Sequence, residues 1–224
     1  MTTFERIHKA TELARSNFLA TPMLMSAASG NIDHKLYTTY LEQTYHHVKH
    51  TCPLLAAALA QCTNKDAVLR EALIEYIDEE KNHEEWILND IAHIDPQANL
   101  GQIRTEAGGI AVESMVAYMY YLIEHKSPYT MLGMVYVLEG TSTDLASIAA
   151  GSISKTLGIK NHKGFSYLRS HGAVDVEHIK FYQNLVNTID DDEIILLIIK
   201  AANSIYKLWS SVFLEVVEIW EQQK

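Results

Sequence analysis

Apolar residues recur at three- and four-residue spacing along almost the whole chain, and no run of period-two alternation bounded by turn residues interrupts them. A chain patterned this way buries its apolar surface by packing helix on helix, so the expected fold class is all-α. Glycine and proline punctuate the pattern at Pro22, Gly30, Asp95-Pro96, Gly108-Gly109, Ser127-Pro128, Gly158, Gly164 and Gly172. Taken as starts and stops, they predict about seven helices, near 3–19, 33–61, 65–91, 109–125, 128–156, 173–188 and 191–221. Ser127-Pro128 is a good helix start, Pro53 is expected to kink the second segment, and Asp190-Asp191-Asp192-Glu193 is expected to cap the last one.

The 224 residues suit one fairly large domain, and two packed domains would be cramped. Hydrophobic residues make up 48%, with only 4 prolines and 10 glycines, so the chain should be globular rather than disordered. Lysine and arginine number 18 against 28 aspartates and glutamates, a net charge of -10, and the basic residues do not cluster, which argues against a nucleic-acid partner. The longest compact apolar run, Ile194 to Ile199, is too short to span a bilayer, and no signal-peptide pattern opens the chain. The expectation is a cytoplasmic protein with no membrane partner. Cys52 and Cys62 lie on one predicted helix about 15 Å apart along its axis, so they should remain ordinary unpaired thiols.

Polar residues interrupt three of the apolar stripes. The third predicted helix runs Leu69, Leu73, Tyr76, Glu80, His83, Ile87 on one face, placing a Glu80-x-x-His83 pair in the core. Glu79 is turned roughly 100° from Glu80 and is expected to stay on a more exposed face, out of reach of any interior site. The fifth helix carries Leu132, Val135, Tyr136, Glu139, Thr143 and Ala146, with Glu139 in an otherwise buried surface. The sixth aligns His171, Asp175 and His178 with Tyr182, Leu185 and Ile189.

A buried carboxylate is costly unless paired, hydrogen-bonded or bound to a cation, and imidazole with carboxylate donors suits iron or manganese better than structural zinc. Each motif alone has a plainer reading as a hydrogen-bonded core residue, but inward carboxylates and glutamate-x-x-histidine pairs from separate helices are how di-iron bundles are built. Among the other histidines, His46, His47 and His50 lack an acidic partner on their stripe and are read as surface or cavity-lining. His8 is read as solvated, with axial haem ligation as its alternative. Tyr118, Tyr120 and Tyr121 are read as core aromatics.

Glu80, His83, Glu139 and the His171/Asp175/His178 set resemble the ligand pattern of the haem-oxygenase-like di-iron oxidases and oxygenases, the iron-containing redox enzyme family. Their scaffold is a haem-oxygenase-like bundle of about seven helices, shared with haem oxygenases, thiaminase-type (TenA) proteins and a quinone-cofactor synthase. The resemblance runs from the Tyr45 region to about Ile189, and the segment from Ser170 to His178 is its most specific part. It implies one helical domain over 1–224 in which these six residues hold two irons, Glu139 bridging, and in which O₂ and a small organic substrate meet. Relatives act on fatty acids, amino acids and amines. A homodimer is left open as the assembly, and manganese as the other metal.

Several members place the first glutamate seven residues before the histidine, where this chain has Tyr76, whereas others use the spacing of Glu80 and His83. The segment from Tyr136 to Ser142 also resembles the distal helix of bacterial haem oxygenases, which implies a haem held by His8 as the alternative cofactor. A thiaminase-type activity would need a cysteine nucleophile at the pocket, and a non-enzymatic helical module would need only a hydrogen-bonded polar cluster.

Overall fold

A computed structural model describes the backbone of residues 1–159 and 163–224, and the side chains of all of these except 143–144 and 171–177. His171 and Asp175 therefore lie outside the described residues. Every predicted helical segment is helical, and the fold is all-α. The segments divide, however, into twelve α-helices among the described residues: α1 Thr3–Ala10, α2 Glu12–Leu19, α3 Pro22–Ser29, α4 His34–Val48, α5 Thr51–Gln61, α6 Ala67–Glu80, α7 His83–Ile94, α8 Leu100–Thr105, α9 Ile110–His125, α10 Met131–Thr156, α11 Ser166–Val186 and α12 Asp192–Gln222.

The differences from expectation have local causes. The first segment breaks at Thr11, whose buried hydroxyl donates back to the Ile7 carbonyl. Pro22, taken as a separator, opens α3 at the position where its missing N–H costs nothing, and Gly30 closes that helix at φ 77°. The second segment breaks at Lys49-His50 rather than at Pro53, which sits in the first turn of α5 and needs no kink. The third breaks between Glu80 and His83, where Asn82 adopts φ 69°. Asparagine is among the few residues that enter this left-handed region readily.

The sixth segment starts earlier than expected because a buried aspartate from another helix caps it. Asp90 on α7 accepts hydrogen bonds from Ser166 N (2.9 Å), Ser166 Oγ (2.7 Å) and Tyr167 N (2.9 Å). Gly164, at φ 86°, makes the preceding turn, and a Cβ there would come within 2.6 Å of Ile94. The acidic run before α12 caps as expected, through Asp191 to the amides of Glu193 and Ile194.

α10 packs along α11 and crosses α12, while α4 joins α7, α9 and α12. The α10–α12 crossing is close at Gly133, where a Cβ would stand 2.6 Å from Ala201 Cβ and 2.7 Å from the Ile198 carbonyl oxygen. By length and composition α12 could cross a membrane, but Ile195, Ile198, Ala202, Ile205, Val212 and Val216 are buried in the common core. That burial is the pattern of a central core helix. Glu215 from its far end accepts from the amides of Ile110 and Ala111 and so holds the start of α9.

Candidate metal centre

The apolar stripes of separate helices face one common core. Leu69, Leu73, Tyr76 and Ile87 are buried on α6–α7, Leu132, Val135 and Tyr136 on α10, and Tyr182 and Leu185 on α11. Among these apolar surfaces stand His83, Glu139 and His178, each no more than 9% exposed. Donor atoms of Glu80, Glu139 and His178 all lie within 4.8 Å of one another, from α6, α10 and α11. His178 Nδ1 is 3.9 Å from Glu139 Oε1. His83 reaches the group through Glu80, its Nδ1 lying 3.0 Å from Glu80 Oε2, and its ring stacks on Trp86 at 4.0 Å.

The Glu80-x-x-His83 pair thus exists, but not by the helix phase expected for it. The two residues end one helix and begin the next, and the Asn82 turn folds His83 back onto Glu80. The expectation for Glu79 is corrected as well. It is the more exposed of the two glutamates, yet its Oε2 lies 3.3 Å from His178 Nε2. Because α6 ends at this point and α11 passes its last turn, two adjacent side chains pointing roughly 100° apart both reach the His178 region. Burial raises the Glu79 carboxyl above its ordinary range, and the neighbouring His178 pulls in the opposite direction.

Glu80 and Glu139 line a partly open cavity of about 150 Å³. Met23, Leu24, Ala27, Val135, Leu138 and Ile153 are among its apolar lining, and no lysine or arginine lines it among the described residues. Tyr76 also faces the cavity, and burial together with the Glu139 charge pushes its phenol well above the ordinary value. The hydroxyls of Tyr76 and Tyr182 have no hydrogen-bond partner among the described residues. Two convergent carboxylates in a largely apolar pocket, with histidines beside them, make a donor set that a divalent cation would satisfy.

The remaining sequence candidates fall into place around this cavity. His47 lines it and stands 5.2 Å from the Trp209 ring. His46 is buried but on the other side of α4, with Lys49 Nζ 3.1 Å from its Nδ1. His8 is exposed, as expected, and is held by Tyr136 Oη at 3.0 Å and Arg15 at 3.1 Å rather than facing the cavity. Neither cysteine lines the cavity, and both thiols are raised by burial. Of the three tyrosines read as core, Tyr121 is instead 47% exposed at the surface of α9. Sequence reasoning missed Asp90, whose signal is an aspartate set among Ile87, Leu88 and Ile91.

The family model for iron-containing redox enzymes matches residues 38–210, which include Glu80, His83, Glu139 and His178. This chain belongs to that family. Solved structures share the architecture at low sequence identity. A domain of unknown function with a haem oxygenase-like fold from Shewanella denitrificans OS217 superposes with a TM-score of 0.87 at 18% identity, covering 99% of this chain and 94% of that one. A TenA homologue from Pseudomonas syringae pv. tomato DC3000 gives 0.80 at 13%, covering 96% and 92%. Haem oxygenase-2 from Synechocystis sp. PCC 6803, solved with haem and NO, gives 0.79 at 14%, covering 100% and 88%. No curated protein sequence matches significantly. The haem-oxygenase-like fold is thereby shown for this member of the iron-containing redox enzyme family.

Proposed function

We propose that this member of the family is an O₂-activating non-haem iron oxidase or oxygenase, with two irons, acting on a small organic substrate. The observation that carries the reading is the convergence of Glu80, Glu139 and His178 within 4.8 Å at the wall of an apolar cavity. Glu80, His83, Glu139 and His178 would be protein ligands, and His171 and Asp175 complete the set by resemblance. Bound iron would supply open positions for dioxygen and the oxidising power to remove hydrogen from, or insert oxygen into, the substrate.

The chain's own contribution is placement and a pocket of low polarity. Glu80 and Glu139 present their carboxylates to the cavity, so a metal held by them would face the head group of a bound substrate. Tyr76, whose hydroxyl has no hydrogen-bond partner among the described residues, stands near Glu139 and can donate a hydrogen bond to a bound substrate or water. Apolar lining residues such as Met23 and Ile153 lower the polarity around that end, which would strengthen each electrostatic contact there. The described lining is mostly apolar and holds no lysine or arginine, which suits a substrate with an apolar body. A volume near 150 Å³ is of the order that takes a benzene-sized body in an apolar cavity.

The haem alternative rests on His8, which is tied to Tyr136 and Arg15 and does not line the cavity. The test is anaerobic reconstitution with ferrous iron, metal analysis per chain, then oxygen exposure followed by absorbance. About two irons and an oxygen-dependent spectral change are expected. A stoichiometry near zero would end the metal reading, a value near one would make the site mononuclear, and a Soret band on adding haemin would favour the haem alternative.

A further inference from the structure

Glu79 lies against His178, a histidine grouped with the carboxylates of the centre. Its Oε2 lies 3.3 Å from His178 Nε2, while the opposite ring nitrogen, Nδ1, faces Glu139 Oε1 at 3.9 Å. The imidazole thus spans from an outer carboxylate to an inner one. Only 9% of the His178 side chain is exposed, against 37% for Glu79, so the outer carboxylate stands at the rim and the ring lies inside.

Neutral imidazole carries one N–H, and the partner of one nitrogen decides which nitrogen keeps its lone pair. A carboxylate oxygen 3.3 Å from Nε2 draws the ring proton to that nitrogen by charge, and an Nε2–H leaves Nδ1 as the donor atom turned toward Glu139. Two donors that share one ion at bond lengths near 2.1 Å stand roughly 3–4 Å apart, and the Nδ1–Oε1 separation falls in that interval.

We propose that Glu79 is the positioning residue of the metal centre: its carboxylate fixes His178 in the Nε2–H tautomer and aims Nδ1 at the ion, without itself touching the metal. This rests on the metal reading above and adds to it a carboxylate–histidine–metal relay through a residue that the ligand pattern does not include. Outer partners of this kind orient the ring and raise its basicity, and removing one typically costs about 10- to 100-fold in metal affinity. The local fold explains why this residue is available. α6 ends at Glu80, so Glu79 lies in its last turn and reaches around the helix end to α11.

Two measurements test this. The first is long-range ¹H–¹⁵N NMR on metal-free protein with labelled histidine, which reads the tautomer of His178 whether or not the protein binds iron. Wild type should show protonated Nε2, and Glu79→Ala a mixture of tautomers. The second is anaerobic ferrous titration of wild type, Glu79→Ala, Glu79→Gln and Glu79→Asp, with circular dichroism as the folding control. Glu79→Ala should weaken iron binding about 10- to 100-fold at unchanged stoichiometry. Glu79→Gln, which keeps an oxygen dipole beside the ring but loses the charge, should lose less, and Glu79→Asp should recover part of the loss. Wild type with Nδ1 protonated, or Glu79→Ala binding iron as wild type does, would overturn the proposal. Loss of a whole equivalent of iron in Glu79→Ala would also overturn it, because Glu79 would then be a ligand. Wild type that binds no iron would remove the metal centre itself, an outcome distinct from a binding wild type matched by Glu79→Ala.

Discussion

Replacing Glu139 by glutamine should make the metal-free protein more stable while abolishing the stability that metal confers. Glu139 and Glu80 place carboxylate oxygens within 4.8 Å of each other inside the fold. Two like charges at that separation repel by about 3 kcal/mol at an effective dielectric near 20. His178, at 3.9 Å from Glu139, offsets part of this when it is protonated. Glutamine keeps the volume and the hydrogen-bonding capacity but removes one charge, so a gain of about 1–3 kcal/mol is expected in the metal-free state. For a chain of this size that corresponds to a rise in Tm of about 3–10 °C. With iron the order reverses. Wild type at about 100 times its dissociation constant gains about 2.7 kcal/mol, and the variant, having lost a charged ligand, gains little.

The assay is a pair of calorimetric melts for each protein, one with chelator and one with ferrous iron under argon. A metal-free Glu139→Gln that melts below metal-free wild type would refute the reasoning, because the buried carboxylate would then be satisfied by the protein alone. Such a trade of stability for function is common where an active site gathers like charges.

Three further outcomes are expected. His178→Ala should remove at least one iron and any oxygen-dependent absorbance change with helicity unchanged by circular dichroism; full metal content in the variant would show that His178 is no ligand. Asp90→Ala removes the acceptor of three hydrogen bonds at the start of α11 and should cost about 2–4 kcal/mol in urea unfolding, with Asp90→Asn milder; a loss below about 0.5 kcal/mol would mean that the cap carries no weight. The His46 imidazole, lowered to about 4 by burial and then by Lys49, binds fewer protons folded than unfolded between about 4 and 6.5, so its contribution is complete above pH 6.5 and is lost as pH falls through that window. By pH 5 the loss is about 2 kcal/mol, and His46→Gln should flatten this acid limb of a urea-midpoint profile; an identical limb in the variant would exclude His46 as its source.

The all-α class and the inward faces were legible in the chain alone, because a three-to-four apolar period needs no tertiary information to read. Leu69, Leu73, Tyr76 and Ile87, like Tyr182 and Leu185, are buried where their spacing put them. Glu139 and His178 could be singled out for the same reason: a polar residue on an apolar stripe must have a partner, and a stripe says which way it points. The convergence of α6, α10 and α11 that brings Glu80, Glu139 and His178 within 4.8 Å is a matter of helix packing, which no single-helix period specifies.

Phase carried across a break was the weak step. Glu80 and His83 were aligned as if on one rod, yet Asn82 at φ 69° resets the direction of the chain, and their pairing arises from the fold-back. The same break placed Glu79 at a helix end, where α11 passes within its reach, so a side chain on the outward face still meets His178. Asp90 capping a helix that begins 76 residues later belongs to the same class of fact. Local periodicity decided which residues are inside; the ends of helices, where phase is lost and neighbours cross, decided which of them touch.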